Sequence, residues 1–110
     1  MKTRSAKNKG LRLQNYVAEL LRERYGLETS EVKPAIMGES GVDIKLSQKA
    51  REVFPFDIEC KNVERLDIWG ALLQAEMNSS EGIPLLVFKR NRSKVYCVLE
   101  LDKLLEVKNE

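Results

Sequence analysis

Apolar residues recur along this chain with two periods, and the period sorts the chain into elements. In "GLRLQNYVAELLRERY" (10–25), Leu13, Tyr16, Val17, Leu20 and Leu21 fall on one face at helical spacing. Gly26 then supplies a helix stop. "EVKPAIM" (31–37) predicts a short strand that Pro34 confines to an edge or an end, and "GESG" (38–41) a tight polar loop. "VDIKLS" (42–47) alternates Val42, Ile44 and Leu46 with Asp43, Lys45 and Ser47, which predicts a strand. "QKAREV" (48–53) is a connection or a single helical turn. "FPFDIECKN" (54–62) alternates again. Phe54, Phe56, Ile58 and Cys60 form one side and Pro55, Asp57, Glu59 and Lys61 the other, as in a half-buried strand over 54–61.

Downstream, "LDIWGALLQAEMNSS" (66–80) predicts a helix with Asp67 as N-cap and Ile68, Ala71, Leu72 and Ala75 on its inner side, despite the propensity cost of Gly70. "IPLLVFK" (83–89) is an unbroken apolar run, expected of a strand covered on both faces. "NRS" turns into a further strand, "KVYCVLE" (94–100), and a short helix spans 102–107. Residues 1–9 read as a flexible basic arm. At 110 residues the chain is expected to form one small α/β domain, with a central mixed β-sheet flanked by helices.

Composition narrows the chemistry mainly by exclusion. The chain has no histidine, which removes Ser-His-Asp and Cys-His catalysis and His-ligated zinc. Cys60 and Cys97 stand singly in apolar segments with no CxxC pair, so both are expected as reduced core residues. No apolar run approaches the roughly 18 residues of a membrane span, and no signal core opens the chain, so a cytoplasmic protein away from the membrane is expected. The net charge of +2 names no partner. Its distribution is uneven, with Lys2, Arg4, Lys7 and Lys9 at the start and "KRNRSK" (Lys89, Arg90, Arg92, Lys94) later, neither stretch containing an acid. Solvated ends and a basic turn explain this on charge alone; a polyanion-binding face is the other reading.

Glu59 and Lys61 share the polar side of their strand. A carboxylate two residues before a lysine is a weak signal, since about two such pairs are expected by chance. The chain has four: Glu31/Lys33, Asp43/Lys45, Glu59/Lys61 and Glu106/Lys108. Context separates them. Asp43/Lys45 and Glu59/Lys61 lie in strands adjacent in sequence, and consecutive strands usually neighbour each other in space. Asp43 and Glu59 can then converge as a hard oxygen site of the kind Mg²⁺ takes, with Lys61 beside an attacking water. An exposed ion pair remains the plain alternative.

"GVDIKLS" followed by "FPFDIECKN" resembles the metal-binding core of the PD-(D/E)xK nuclease superfamily, in which an Asp is followed on the next strand by an acid, any residue and a lysine. The helix-first opening "KNKGLRLQNYVAELL" is similar to archaeal-type Holliday junction resolvases and their small phage relatives. The resemblance covers roughly residues 4–100 and implies a restriction-endonuclease-like fold, with Asp43, Glu59 and the Cys60 carbonyl as Mg²⁺ ligands (Mn²⁺ substituting) and Lys61 as the catalytic lysine. Resolvases of this type carry a Glu four residues after the glycine; here that position is Gln14, which can still hold a water, while Glu39 is a candidate replacement carboxylate. Ser40 corresponds to a loop serine near the scissile phosphate, and Gln74 to a helix glutamine that steadies the lysine or touches DNA. Asp57 is a minor candidate one pleat from Glu59. Trp69 packs in the core or at a dimer interface, and "IPLLVF" is the other interface candidate. The activity implied is hydrolysis of branched DNA by a homodimer, with Lys2, Arg4, Lys7, Lys9, Arg12, Lys89, Arg90 and Arg92 on phosphates. A flap, fork or single-strand nuclease and a catalytically idle nucleic-acid-binding protein are the alternatives.

Overall fold

The computed structural model describes residues 4–36 and 39–108. The elements run α1 (Arg4–Tyr25), β1 (Val32–Pro34), β2 (Ile44–Leu46), α2 (Gln48–Val53), β3 (Phe56–Asn62), α3 (Ile68–Asn78), β4 (Ile83–Lys89), β5 (Tyr96–Val98) and α4 (Leu101–Lys108). The order is the one the periodicities predict, with "QKAREV" resolved as a helix. Ser47 caps α2, its hydroxyl accepting the Ala50 N–H at 3.1 Å. Asp67 caps α3 in the same way, accepting the Gly70 N–H at 3.0 Å.

α1 begins earlier than its apolar face does. Residues 4–9 form its first turns, which corrects the reading of this stretch as an arm; residues 1–3 lie outside the described residues. The segment contains no helix breaker, and the helix continues through Gly10 at a cost of about 1 kcal/mol. Asn62 holds it from below, its amide Nδ2 donating to the Lys9 carbonyl at 3.1 Å. At the other end Gly26 adopts φ +64°, a conformation open to glycine without penalty. Leu27 N–H then bonds back to the Arg22 carbonyl at 2.9 Å, and buried Leu27 closes the turn. Of the predicted face only Leu13, Val17 and Leu21 are buried; Tyr16 and Leu20 remain exposed on its flank.

The sheet is divided. β1 and β2 pair antiparallel, Val32 opposite Leu46 and Pro34 opposite Ile44 at the end, as proline requires. β3, β4 and β5 form a mixed sheet in that order. β3 and β4 are parallel and joined through α3, while β5 is antiparallel to β4. One backbone bond joins the two sheets where β2 leaves β3: Asp43 N–H donates to the Ile58 carbonyl at 3.0 Å. α1 packs on the face of the mixed sheet that carries Ile58, Cys60, Leu85 and Val87. α3 packs against β3 and β4, with Ala71 and Ala75 buried.

Four expectations change here. β3 is not half-buried: Asp57, Ile58, Glu59 and Cys60 are all buried, so its polar side faces covering structure rather than water. Trp69 is 81% exposed; it sits on the outer side of α3, where Leu73 and Met77 are exposed as well. "IPLLVF" is the middle strand of the mixed sheet, which removes it as an interface. Cys60 is buried and reduced as expected, but Cys97, on the three-residue edge strand β5, is exposed.

Candidate active site

Asp43, Glu59 and Lys61 come together at the open edge of β3. Asp43 sits in the bend that leads into β2, and its carboxylate Oδ2 accepts the Cys60 N–H at 2.7 Å. This bond reaches across from one sheet to the other and fixes Asp43 beside the strand that carries Glu59. Glu59 Oε1 accepts from the Asn78 amide at 3.1 Å, and Oε2 lies 3.6 Å from the Lys61 ammonium. Burial raises the Glu59 pKa and the Asp43 charge raises it further; Asn78 and Lys61 only partly offset this. The carboxyl therefore sits in a place that asks for more positive charge than the chain provides. The Cys60 thiol is pushed well up by burial and by both carboxylates, which makes it inert.

These groups line a cleft of about 350 Å³ between α1, β3 and α3, with Gln14 and Gln74 on opposite walls. Gln14 lines the cleft, and its Oε1 is buried without a hydrogen-bond partner. Glu39 reaches the cleft as well, but it is committed elsewhere: it accepts the Ile36 N–H and pairs with Lys45, both within 2.8 Å. Lys45 and the backbone N–H hold its carboxyl below the usual range. Ser40 is exposed and does not line the cleft. Of the cations, Lys7 lines the cleft. Arg4 lies on the same α1 stripe, at the spacing that continues through Leu11 to Gln14. Lys9, Arg12, Lys89 and Arg92 line a different groove, and Arg90 lines a third cavity that Phe88 and Tyr96 also line. Lys2 falls outside the described residues.

Asp57 has another task. Its Oδ2 accepts from Ser79 Oγ at 2.8 Å and from the N–H groups of Ser80, Glu81 and Gly82 at 2.9, 3.1 and 2.9 Å, while Oδ1 accepts from Arg51 Nη1 at 2.8 Å. It organises the α3–β4 loop and ties α2 to it. Asn78 was the functional partner that spacing could have found. It lies four residues after Gln74 on α3, one turn further along the stripe that faces the cleft.

Among the described residues no group of three or more His, Cys, Asp and Glu side chains could hold a metal. The donor set is two carboxylates with amide and backbone oxygens, and Mg²⁺ commonly takes one or two carboxylates and completes its shell with water. The orphaned Gln14 oxygen and the raised Glu59 pKa fit a cation in this cleft.

The family model described as "Phage putative PDDEXK endonuclease" matches residues 5–110. The chain belongs to this family. The mixed sheet flanked by helices is consistent with a PDDEXK-like fold. Comparisons with curated proteins and with solved structures found no match. No helix among the described residues is long and apolar enough to cross a membrane.

Proposed function

We propose that this PDDEXK protein is a Mg²⁺-dependent endodeoxyribonuclease that hydrolyses phosphodiester bonds in branched DNA, with four-way junctions as the leading substrate. The observation that carries the nuclease reading is one cleft holding Asp43, Glu59 and Lys61, with Asp43 fixed by the Cys60 N–H. Asp43, Glu59 and the Cys60 carbonyl hold the divalent ion, and Mn²⁺ can substitute. A bound divalent ion supplies Lewis-acid polarisation of the phosphate and lowers the pKa of the attacking water. Lys61 orients that water and offsets phosphate charge. Gln14 accepts from a water through its unpartnered oxygen, a role a neutral amide can fill where relatives of the resolvase type use a carboxylate. Gln74 touches DNA or steadies Lys61. Arg4 and Lys7 contact phosphates beside the cut, which position the duplex without reading its sequence.

One subunit offers one such cleft, so symmetric cutting of two strands calls for a homodimer. A phage origin, suggested by the family's description, would put the protein at work in the host cytoplasm. The test is cleavage of a four-way junction, a flap and a linear duplex with Mg²⁺ or with EDTA, beside Lys61→Ala. Junction cleavage that needs Mg²⁺ and is lost in Lys61→Ala is expected. Cutting of flaps but not junctions replaces the substrate assignment, and no cutting of any substrate overturns the nuclease reading.

A further inference from the structure

Among the described residues, two buried side-chain polar atoms lack a hydrogen-bond partner: Gln14 Oε1 and Asn62 Oδ1. Both residues line the cleft that holds Asp43, Glu59 and Lys61. Buried polar atoms in folded proteins are nearly always satisfied, by the chain, by ordered water or by an ion. Two exceptions in one place, both acceptors, call for a shared donor.

Asn62 is the better defined of the two. It ends β3, one residue after Lys61. Alternation along the strand turns it to the other side from Lys61, toward α1, where its Nδ2 donates to the Lys9 carbonyl at 3.1 Å. That bond fixes which end of the amide is which. Reversed, the side chain would set its oxygen against a carbonyl oxygen, and two acceptors repel. The unpartnered atom is therefore the oxygen, and it can only accept. Gln14 stands on α1 itself. Glu59 is held from the opposite side, by Asn78 of α3.

The groups at hand narrow the donor. Lys61 is engaged with Glu59 at 3.6 Å. Lys7 is exposed, and two neutral oxygens offer little against the cost of burying its charge. A phosphate presents acceptors and would be repelled. A water has two hydrogens for two acceptors and keeps its lone pairs for a third partner, the usual number for a buried water.

We propose that Asn62 is a positioning residue of the candidate site: its Oδ1 and Gln14 Oε1 each accept one hydrogen of a single water, whose oxygen faces the cation held by Asp43 and Glu59. The inference rests on the cation of the proposed function and not on its choice of DNA substrate. Neutral acceptors leave both protons on this water. It is a fixed part of the cation's shell, and the attacking water is the one beside Lys61.

The probe is Mg²⁺ alone, titrated into the full chain by calorimetry, beside circular dichroism and thermal melting in metal-free buffer. Asn62→Ala loses both ends of the amide. Asn62→Asp loses only the donor to Lys9 and keeps an acceptor oxygen. Both are expected to melt lower than wild type to a similar extent. Asn62→Ala is expected to weaken Mg²⁺ binding by about tenfold, while Asn62→Asp binds at least as tightly as wild type. Gln14→Ala leaves the bond to Lys9 intact and is expected to show the same loss of affinity. Because one water serves both oxygens, the double change to alanine should lose little more than either single change.

A wild type that binds no Mg²⁺ overturns this inference together with the cation of the proposed function. Mg²⁺ binding that is unaltered in Asn62→Ala, or weakened alike in Asn62→Ala and Asn62→Asp, makes Asn62 a strut for α1 and overturns the inference alone. Losses that add in the double variant give each oxygen its own partner and overturn the shared water. Should the Asn62 variants fail to fold, unaltered Mg²⁺ binding in Gln14→Ala overturns it as well.

Discussion

Asp57 and Glu59 stand two residues apart on the same side of β3, and both are nearly sealed from water, at 2% and 3% exposure. Burial pushes both carboxyls up, yet they end in opposite places. Around Asp57 the hydrogen bonds from Gly82, Ser79, Arg51 and Ser80 outweigh burial and hold its pKa at about 2. Around Glu59, one amide and a lysine 3.6 Å away leave burial and the Asp43 charge in command, and its pKa is raised. A carboxylate whose acceptor sites are filled by its own chain belongs to the architecture. One that is buried and short of donors fits the cation site of the proposed function. Strand, face and burial are shared, so the neighbouring donors alone make the difference.

Exchanging each carboxylate for its amide breaks the comparison most sharply. Glu59→Gln is expected to lower phosphodiester cleavage by more than about a hundredfold while the protein stays folded. Asp57→Asn is expected to do the reverse. It presents an NH₂ group and a neutral oxygen to five donors, costing about 2–4 kcal/mol of stability, while the fraction that folds keeps its activity. Cleavage assays beside urea unfolding check both, and a Glu59→Gln protein that cuts normally would remove Glu59 from the site.

Acid sharpens the contrast, because the two linkages have opposite signs. Asp57 has a depressed folded pKa, so its contribution is present above the unfolded value of 3.8 and is lost as pH falls toward about 2, roughly 2 kcal/mol in all. Asp57→Asn lacks that acid-sensitive component. Glu59 has a raised pKa, so its ionisation costs stability once pH rises above the carboxylate range. In metal-free buffer Glu59→Gln is therefore expected to unfold at higher urea than wild type at pH 7, with the advantage vanishing as pH falls. Unfolding midpoints measured from pH 7 to pH 2 decide this, and parallel curves for all three proteins would refute the asymmetry.

Spacing made one of these carboxylates legible and left the other obscure. Glu59 could be found because its partners Asp43 and Lys61 lie on the same or the adjacent strand, and β3 alternates as a strand should. Asp57 lies in the same alternation, but its donors come from Arg51 and from residues 79–82, more than 20 residues onward. No local pattern announces a loop that folds back onto a strand start. The same limit explains α1 and Trp69. Apolar periodicity locates a buried face, so it placed the helix from Gly10, while residues 4–9 join it through propensity and an Asn62 contact. An aromatic residue reads as core until the packing of α3 turns its other side inward.

A smaller break in the comparison comes from the loop that Asp57 organises. A side chain at Gly82 would meet the Pro55 carbonyl and Arg51 Nη1, both at 3.0 Å, and Asp57 Oδ1 at 3.2 Å. The backbone contact cannot yield cheaply. Gly82→Ala is expected to cost about 1–3 kcal/mol by overpacking, with cleavage by the folded protein unchanged. An unaffected melting temperature would mean that the loop is looser than its hydrogen bonds imply.

The smallest expected effect separates the two carboxylates most finely. Asn78 is a neutral donor to Glu59, and its bond, at 3.1 Å, lowers the pKa of that carboxyl against burial. Asn78→Ala removes it and leaves the ionised form less favoured, so Glu59 should protonate at higher pH than in wild type. Cleavage then needs a higher pH to reach half its plateau, and at saturating Mg²⁺ the plateau itself changes by no more than a few-fold, because the cation replaces what the amide supplied. A purely structural role for Asn78 predicts a different outcome: lower stability, with a pH–rate profile that does not move. The same truncation at Ser79, whose hydroxyl donates to Asp57, should show that second pattern, since four other donors remain on Asp57 and none of them faces the cleft.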